Sequence, residues 1–219
     1  MEKLITVKGI GNATAKPDLV VLSLELETTS LDYDQCMKLS GERDELVKAA
    51  IVESGLPKDS VKTSKFGISS EYRSVKDKFG NYRSVFDRWK CCLDLKVEFA
   101  LDTKLLTKVL HNIAKSNADC KVGVKFTLSN SGAIETALLD SAVKNARKKA
   151  ETLCAALGAK LGELVKIDYN WSEIDIYSHT RYSHDYSGQL SIDLGSAAPE
   201  INPEDIKLND TATFIWQIG

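Results

Sequence analysis

The sequence predicts an α+β protein, with helices layered on one face of mostly antiparallel β-sheet, and three observations predict it. Stretches of period-two alternation come in adjacent pairs, three segments carry apolar residues at helical spacing, and the chain closes on a cleanly alternating strand. A doubly wound parallel sheet fits worse, because it needs strands and helices in regular alternation.

The elements follow in order. Ile5, Val7, Gly9 and Gly11 share one face; after Lys16-Pro17-Asp18, Val20, Leu22, Leu24 and Leu26 alternate with Val21, Ser23, Glu25 and Glu27. Two strands around a turn signal read as a pair. Cys36, Leu39, Leu46, Val47, Ala50 and Ile51 then recur at helical spacing, with Ser30 or Asp32 as cap and Gly55-Leu56-Pro57 as stop. Residues 61–72 and 82–100, rich in β-branched and aromatic types, flank the polar turn 76–81, which predicts a long hairpin. Cys91, Leu93, Leu95, Val97 and Phe99 fall on one face of its second arm, so Cys91 belongs to the core and Cys92 to the more exposed side. A second helix starts at Asp102 and points Leu105, Leu106, Val109, Leu110 and Ile113 inward, leaving His111 among Lys104, Lys108 and Lys115.

Val122, Val124, Phe126 and Leu128 make a short strand, and the longest helix covers about 132–157. Its inner side is expected to hold Leu138, Ala142, Ala146, Ala150, Leu153 and Leu157, with Gly158 ending it and strand character resuming over 161–171. Residues 172–203 turn polar and aromatic without a period, including the near-repeat Tyr177-Ser178-His179 and Tyr182-Ser183-His184, and read as a long loop. Leu208, Ala212, Phe214, Trp216 and Ile218 define the last strand.

Composition narrows the functional classes. With 219 residues, 29 basic against 31 acidic side chains and 43% hydrophobic content, the chain reads as an ordinary globular protein able to bury a sizeable core. A net charge of −2 argues against a dominant nucleic-acid groove, which rests on clustered Lys and Arg. No stretch approaches the roughly 20 apolar residues of a membrane span. The first ten residues lack the basic and continuously apolar regions of a signal peptide, and five irregularly spaced cysteines, Cys36, Cys91, Cys92, Cys120 and Cys154, suit reduced thiols. A cytoplasmic location is the expectation.

No familiar catalytic motif occurs. Gly9-Ile10-Gly11 is followed by a second strand rather than a helix, so backbone packing or a bulge explains it better than a phosphate cradle. His179 and His184 with Asp185 carry metal-ligating groups, but in a segment with no rigid element to fix their geometry, so no metal or cofactor is expected. Cys91 and Cys92, adjacent in a strand, point to opposite faces and pair poorly. No two carboxylates are placed together for acid/base work, and the expectation is a protein that is not an enzyme. The loop concentrates Tyr177, His179, Arg181, Tyr182, His184 and Tyr186 near Trp171, residue types that dominate interfaces. Partner contact and a functionless insertion both fit it.

The opening Ile5-Thr6-Val7-Lys8-Gly9-Ile10-Gly11 with Ala15-Lys16-Pro17-Asp18 resembles the start of the SIMPL domain family. Val61 and Thr63 before the strand ending at Tyr72 are similar to a further family strand, and Ala142, Ala146, Ala150 and Ala155-Ala156-Leu157-Gly158-Ala159-Lys160-Leu161-Gly162 to its Ala-rich helix and Leu-Gly pair. The final strand fits as well. The resemblance implies one SIMPL-like domain over 1–219 with a polar loop insertion at about 172–203, built of helix-on-sheet layers that can form two subdomains, and no catalytic residues to carry over. It also implies bacterial relatives that are often exported or envelope-associated and linked to oxidative-stress defence, and a kinase-associated animal relative. The expectation is therefore a non-enzymatic binding or assembly module, forming a homo-oligomer or contacting a protein partner. The alternative is a small-ligand or metal-binding protein using the His/Tyr-rich loop, with an unrecognised enzyme third.

Overall fold

A computed structural model of the chain describes residues 3–169, 174–185 and 201–219. It is α+β, and the chain divides into two compact units. The first comprises Met1–Asp18, Thr127–His179 and Pro203–Gly219, and the second Leu19–Phe126 and Thr180–Asn202.

In the first unit, strands β1 (Leu4–Ala15), β8 (Ile206–Ile218) and β6 (Leu161–Asp168) form a sheet in the order β1-β8-β6, both pairings antiparallel. Helix α3 (Gly132–Ala156) lies on it. The inner stripe of α3 runs Ile134, Leu138, Ala142, Ala146, Ala150 and Cys154, a step of four that follows the axis of a helix crossing a strand. Leu153 and Leu157, expected inside, are exposed, because that same step carries the buried stripe to Cys154 instead. The small stripe lets α3 descend onto β1 at two glycines. A Cβ on Gly9 would stand 2.3 Å from the Ala142 carbonyl oxygen, and one on Gly11 would stand 2.1 Å from that of Leu138. No side chain fits there, so Gly9-Ile10-Gly11 is a packing seam.

The second unit holds a sheet in the order β3-β4-β2-β5-β7: β3 (Val61–Lys76), β4 (Tyr82–Ala100), β2 (Leu19–Ser30), β5 (Cys120–Thr127) and β7 (Tyr182–Asp185). The β2–β4, β3–β4 and β5–β7 pairings are antiparallel. Helix α1 (Tyr33–Ser54) packs on β2 and β4, and α2 (Thr103–Lys115) packs on α1. The core is built from Val20, Leu22, Leu24, Leu26, Leu93, Leu95, Val97, Val122, Val124 and Phe126 against Val47, Ile51, Leu106, Val109 and Ile113. Asp32 caps α1 by accepting from the Gln35 amide at 2.8 Å, and Gly55 ends it in the left-handed region at φ 103°.

Three further expectations need correction. β1 and β2 do not pair: β1 joins β8, with Leu4 opposite Gln217 and Ala15 opposite Ile206, and β2 joins β4. The Pro17-Asp18 turn separates them, because Asp18 is tied to the loop before α3, its carboxylate accepting from the Ser129 amide at 2.6 Å and hydroxyl at 2.8 Å. On α1, Leu46 is exposed while Ser40 and Ser54 are buried. Their hydroxyls make that possible, since Ser54 donates to the Ala50 carbonyl and Ser40 accepts from the Cys91 thiol. The segment 172–203 is not all loop: Tyr182–Asp185 adds to the sheet edge beside β5, because Tyr182 and His184 alternate into register with Val124 and Val122.

Candidate functional site

The expected loop residues are divided between the two units. Tyr177 and His179 are exposed in the first, where Ser178 between them is buried and donates to the Glu204 carbonyl at 2.7 Å. Arg181, Tyr182 and His184 belong to the second. Of these the structure brings together Tyr182 and His184, whose rings stack with centroids 6.5 Å apart, and Tyr182 also packs against the core. Tyr186 and Trp171 lie outside the described residues. His184, Ser183 and Asp185 border an open groove of about 550 Å³ with Ser23, Glu25 and Lys121. Among the described residues no three His, Cys, Asp or Glu side chains gather as a metal site would require.

The thiols are placed for packing. Cys36, Cys91, Cys120 and Cys154 are buried and Cys92 is half-buried, all of them free. Burial pushes the Cys120 thiol up to about 12, with Asp119 and Asp185 adding to the rise, and burial raises that of Cys36 as well. Such thiols stay protonated at neutral pH and are weak nucleophiles. In the first unit an open groove of about 590 Å³ runs between β1 and α3, lined by Lys8, Lys148 and Lys149 with Asn145 and Thr152. Its polar groups already serve the backbone. Asn145 accepts from the Ile10 amide at 3.0 Å, Ser141 accepts from the Asn12 amide at 3.1 Å, and Lys149 donates to the Lys8 carbonyl at 3.0 Å.

The feature that pattern reading missed is on the β3–β4 hairpin. β2 ends at Ser30 opposite Trp89, so the ribbon from Glu71 to Arg88 continues with no third strand beside it among the described residues. Along the face that continues the core, an aromatic chain runs outward from α1. Tyr33 meets Trp89 edge-on at 5.3 Å, Trp89 meets Phe86 at 5.7 Å, and Phe86 meets Tyr72 edge-on at 6.1 Å. These rings rigidify one another. They remain accessible: Phe66 is 53% exposed, Tyr72 62%, Tyr82 72% and Phe86 42%. The opposite face carries a charged lattice in which Arg88 reaches Asp87 and Glu71, Arg73 reaches Asp87, and Lys90 reaches Glu27 and Glu71. A ribbon with one apolar face and one charged face presents a directional contact surface. The signal in the sequence is the aromatic enrichment of both arms, Phe66 and Tyr72 on one and Tyr82, Phe86 and Trp89 on the other, which reads equally as ordinary core.

A helix-on-sheet α+β protein with an exposed aromatic ribbon is the class that fold and surface define. The chain belongs to the SIMPL family, described as a protein of unknown function (DUF541), whose family model matches residues 5–216. No curated protein matches it. The residues that carry the family resemblance have structural roles here: Gly9 and Gly11 seat α3, Asp18 holds Ser129, and Ala142, Ala146 and Ala150 form the seam.

Proposed function

We propose that the protein is a non-enzymatic binding or assembly module whose contact surface is the aromatic face of the β3–β4 hairpin. The observation that carries this reading is the pair of exposed rings Phe86 and Tyr72, pre-ordered by ring contacts that run through the half-buried Trp89 and continuous with the core. Large aromatics held in place lose little conformational entropy on binding and dominate interface energetics. Homo-oligomer formation and a role in stress defence belong to the same proposal, the latter on the family resemblance alone, and a cytoplasmic location is supported by the free thiols. No helix among the described residues is long and apolar enough to cross a membrane.

The test is native mass spectrometry of the full chain over a hundredfold concentration range, beside the double variant Tyr72→Ser/Phe86→Ser. The reading predicts assembly that the variant loses while its melting temperature holds. Assembly unchanged in the variant would reject the hairpin as the surface.

A second reading rests on the groove beside His184. Ser183, His184, Asp185, Glu25 and Lys121 offer donors and acceptors of both signs, suited to a small polar or zwitterionic ligand. A thermal shift with such a ligand, lost in His184→Ala, would favour it.

A further inference from the structure

Among the described residues the two sheets present four edges, and three carry protection against strand addition. β1 has its outward amides at Ile10 and Asn12 and its Lys8 carbonyl engaged by side chains of α3. β6 is broken by register shifts between Leu161 and Leu164 and again between Leu164 and Lys166. β7 is four residues long. β3 differs. Its register shifts fall between Thr63 and Lys65 and between Glu71 and Tyr72, so they frame rather than interrupt a regular run from Lys65 to Glu71. That run lies at the outside of the sheet, with β4 its only strand neighbour among the described residues.

Resting on the assembly reading above, we propose that the occupant of this edge is a second copy of the chain, with β3 pairing antiparallel to the partner's β3 about a two-fold axis at Ile68. The charges of the run select that register. With Ile68 opposite its own copy, Lys65 stands opposite the partner's Glu71, and the pair occurs twice. Displacing the axis to Ser69 would set Lys65 opposite the partner's Arg73, a like-charge contact, and displacing it to Gly67 would leave Glu71 opposite Thr63. Registers that set the axis between two residues are excluded because they oppose an apolar-face residue to a charged-face one. Phe66, Ile68, Ser70 and Tyr72 share the apolar face, so Phe66 lies diagonal to the partner's Ile68 and the partner's Tyr72. Exposed rings of both copies then form one continuous stripe, and the backbone of the run gains the hydrogen bonds of strand addition. The contact is isologous and closes at two copies.

The experiment is a charge exchange in the full chain. Lys65→Glu and Glu71→Lys each convert both cross-copy pairs to like charges, and each alone weakens self-association roughly tenfold, two exposed pairs turned from attraction to repulsion. An equimolar mixture of the two variants restores both attractions, and native mass spectrometry then shows the mixed dimer in excess over either homodimer. Lys65 is exposed, whereas Glu71 is half-buried and reaches Arg88 and Lys90 of its own chain, so Lys65→Glu carries the single-variant result and circular dichroism checks that each variant keeps the fold. A statistical mixture, or self-association indifferent to Lys65→Glu, overturns this register; if Tyr72→Ser/Phe86→Ser still abolishes assembly, the hairpin reading survives without it. A wild-type chain that stays monomeric throughout overturns both.

Discussion

The edge of β1 and the edge of β3 show two treatments of the same hazard. Both are long strands with one strand neighbour each among the described residues. On β1, a helix pressed close enough to need glycine beneath it brings Ser141, Asn145 and Lys149, four residues apart on one side of α3, to the strand's outward polar groups. On β3 the corresponding groups of the run meet no such helix among the described residues, and the surrounding side chains are aromatic on one face and of opposite charge at its two ends. Closing an edge in this way requires helix and strand at backbone-contact distance, which fixes the residue types on both. An open edge leaves sequence free to encode partner choice.

The comparison is broken most strongly at the seam. Gly9→Val places branched carbon where 2.3 Å separates an ideal Cβ from the Ala142 oxygen, so α3 must lift from β1. A loss of about 3 kcal/mol or more is expected in urea denaturation, the upper range of overpacking effects. Next comes the double variant Ser141→Ala/Asn145→Ala, which keeps the seam but strips two acceptors from the edge. It should cost about 1 kcal/mol per bond and add concentration-dependent light scattering as β1 becomes available to other chains. The smallest effect is at Asp18. The Ser129 amide, and then its hydroxyl, hold this carboxyl below its ordinary 3.8. Its contribution is complete above that value and fades as pH falls through the depressed value of the folded state. Denaturation of wild type and Asp18→Asn between about pH 5 and pH 2 should show a steeper acid-side loss in the wild type.

Much of this was legible from residue order. Alternation identified the faces of β2 and β4 and separated Cys91 from Cys92, and Asp32, Gly55 and Asp102 marked helix ends that the structure keeps. Glycine followed by strand rather than helix correctly pointed to packing. Pairing was less legible, because alternation says which face is apolar but not which strand lies alongside; β1 and β2 are neighbours in sequence and members of different sheets. On α3 the buried stripe ends at Cys154 while Leu153 and Leu157 are exposed, because hydrophobicity alone does not say which of several closely spaced apolar residues faces the sheet. The hairpin surface was hidden for a further reason. Trp89 continues the same period as Leu93 and Leu95, the register shift between Glu71 and Tyr72 brings Phe86 onto that face out of phase with it, and exposure begins only where β2 stops. That boundary is a property of a different strand.

Amide hydrogen exchange measured against protein concentration addresses the difference between the two edges directly. The account predicts that the Ile10 and Asn12 amides of β1 are protected at every concentration, whereas outward amides between Lys65 and Glu71 exchange quickly in dilute solution and become protected as the chain is concentrated. Exchange in β3 that does not change with concentration, or protection that appears at β1 instead, would contradict it.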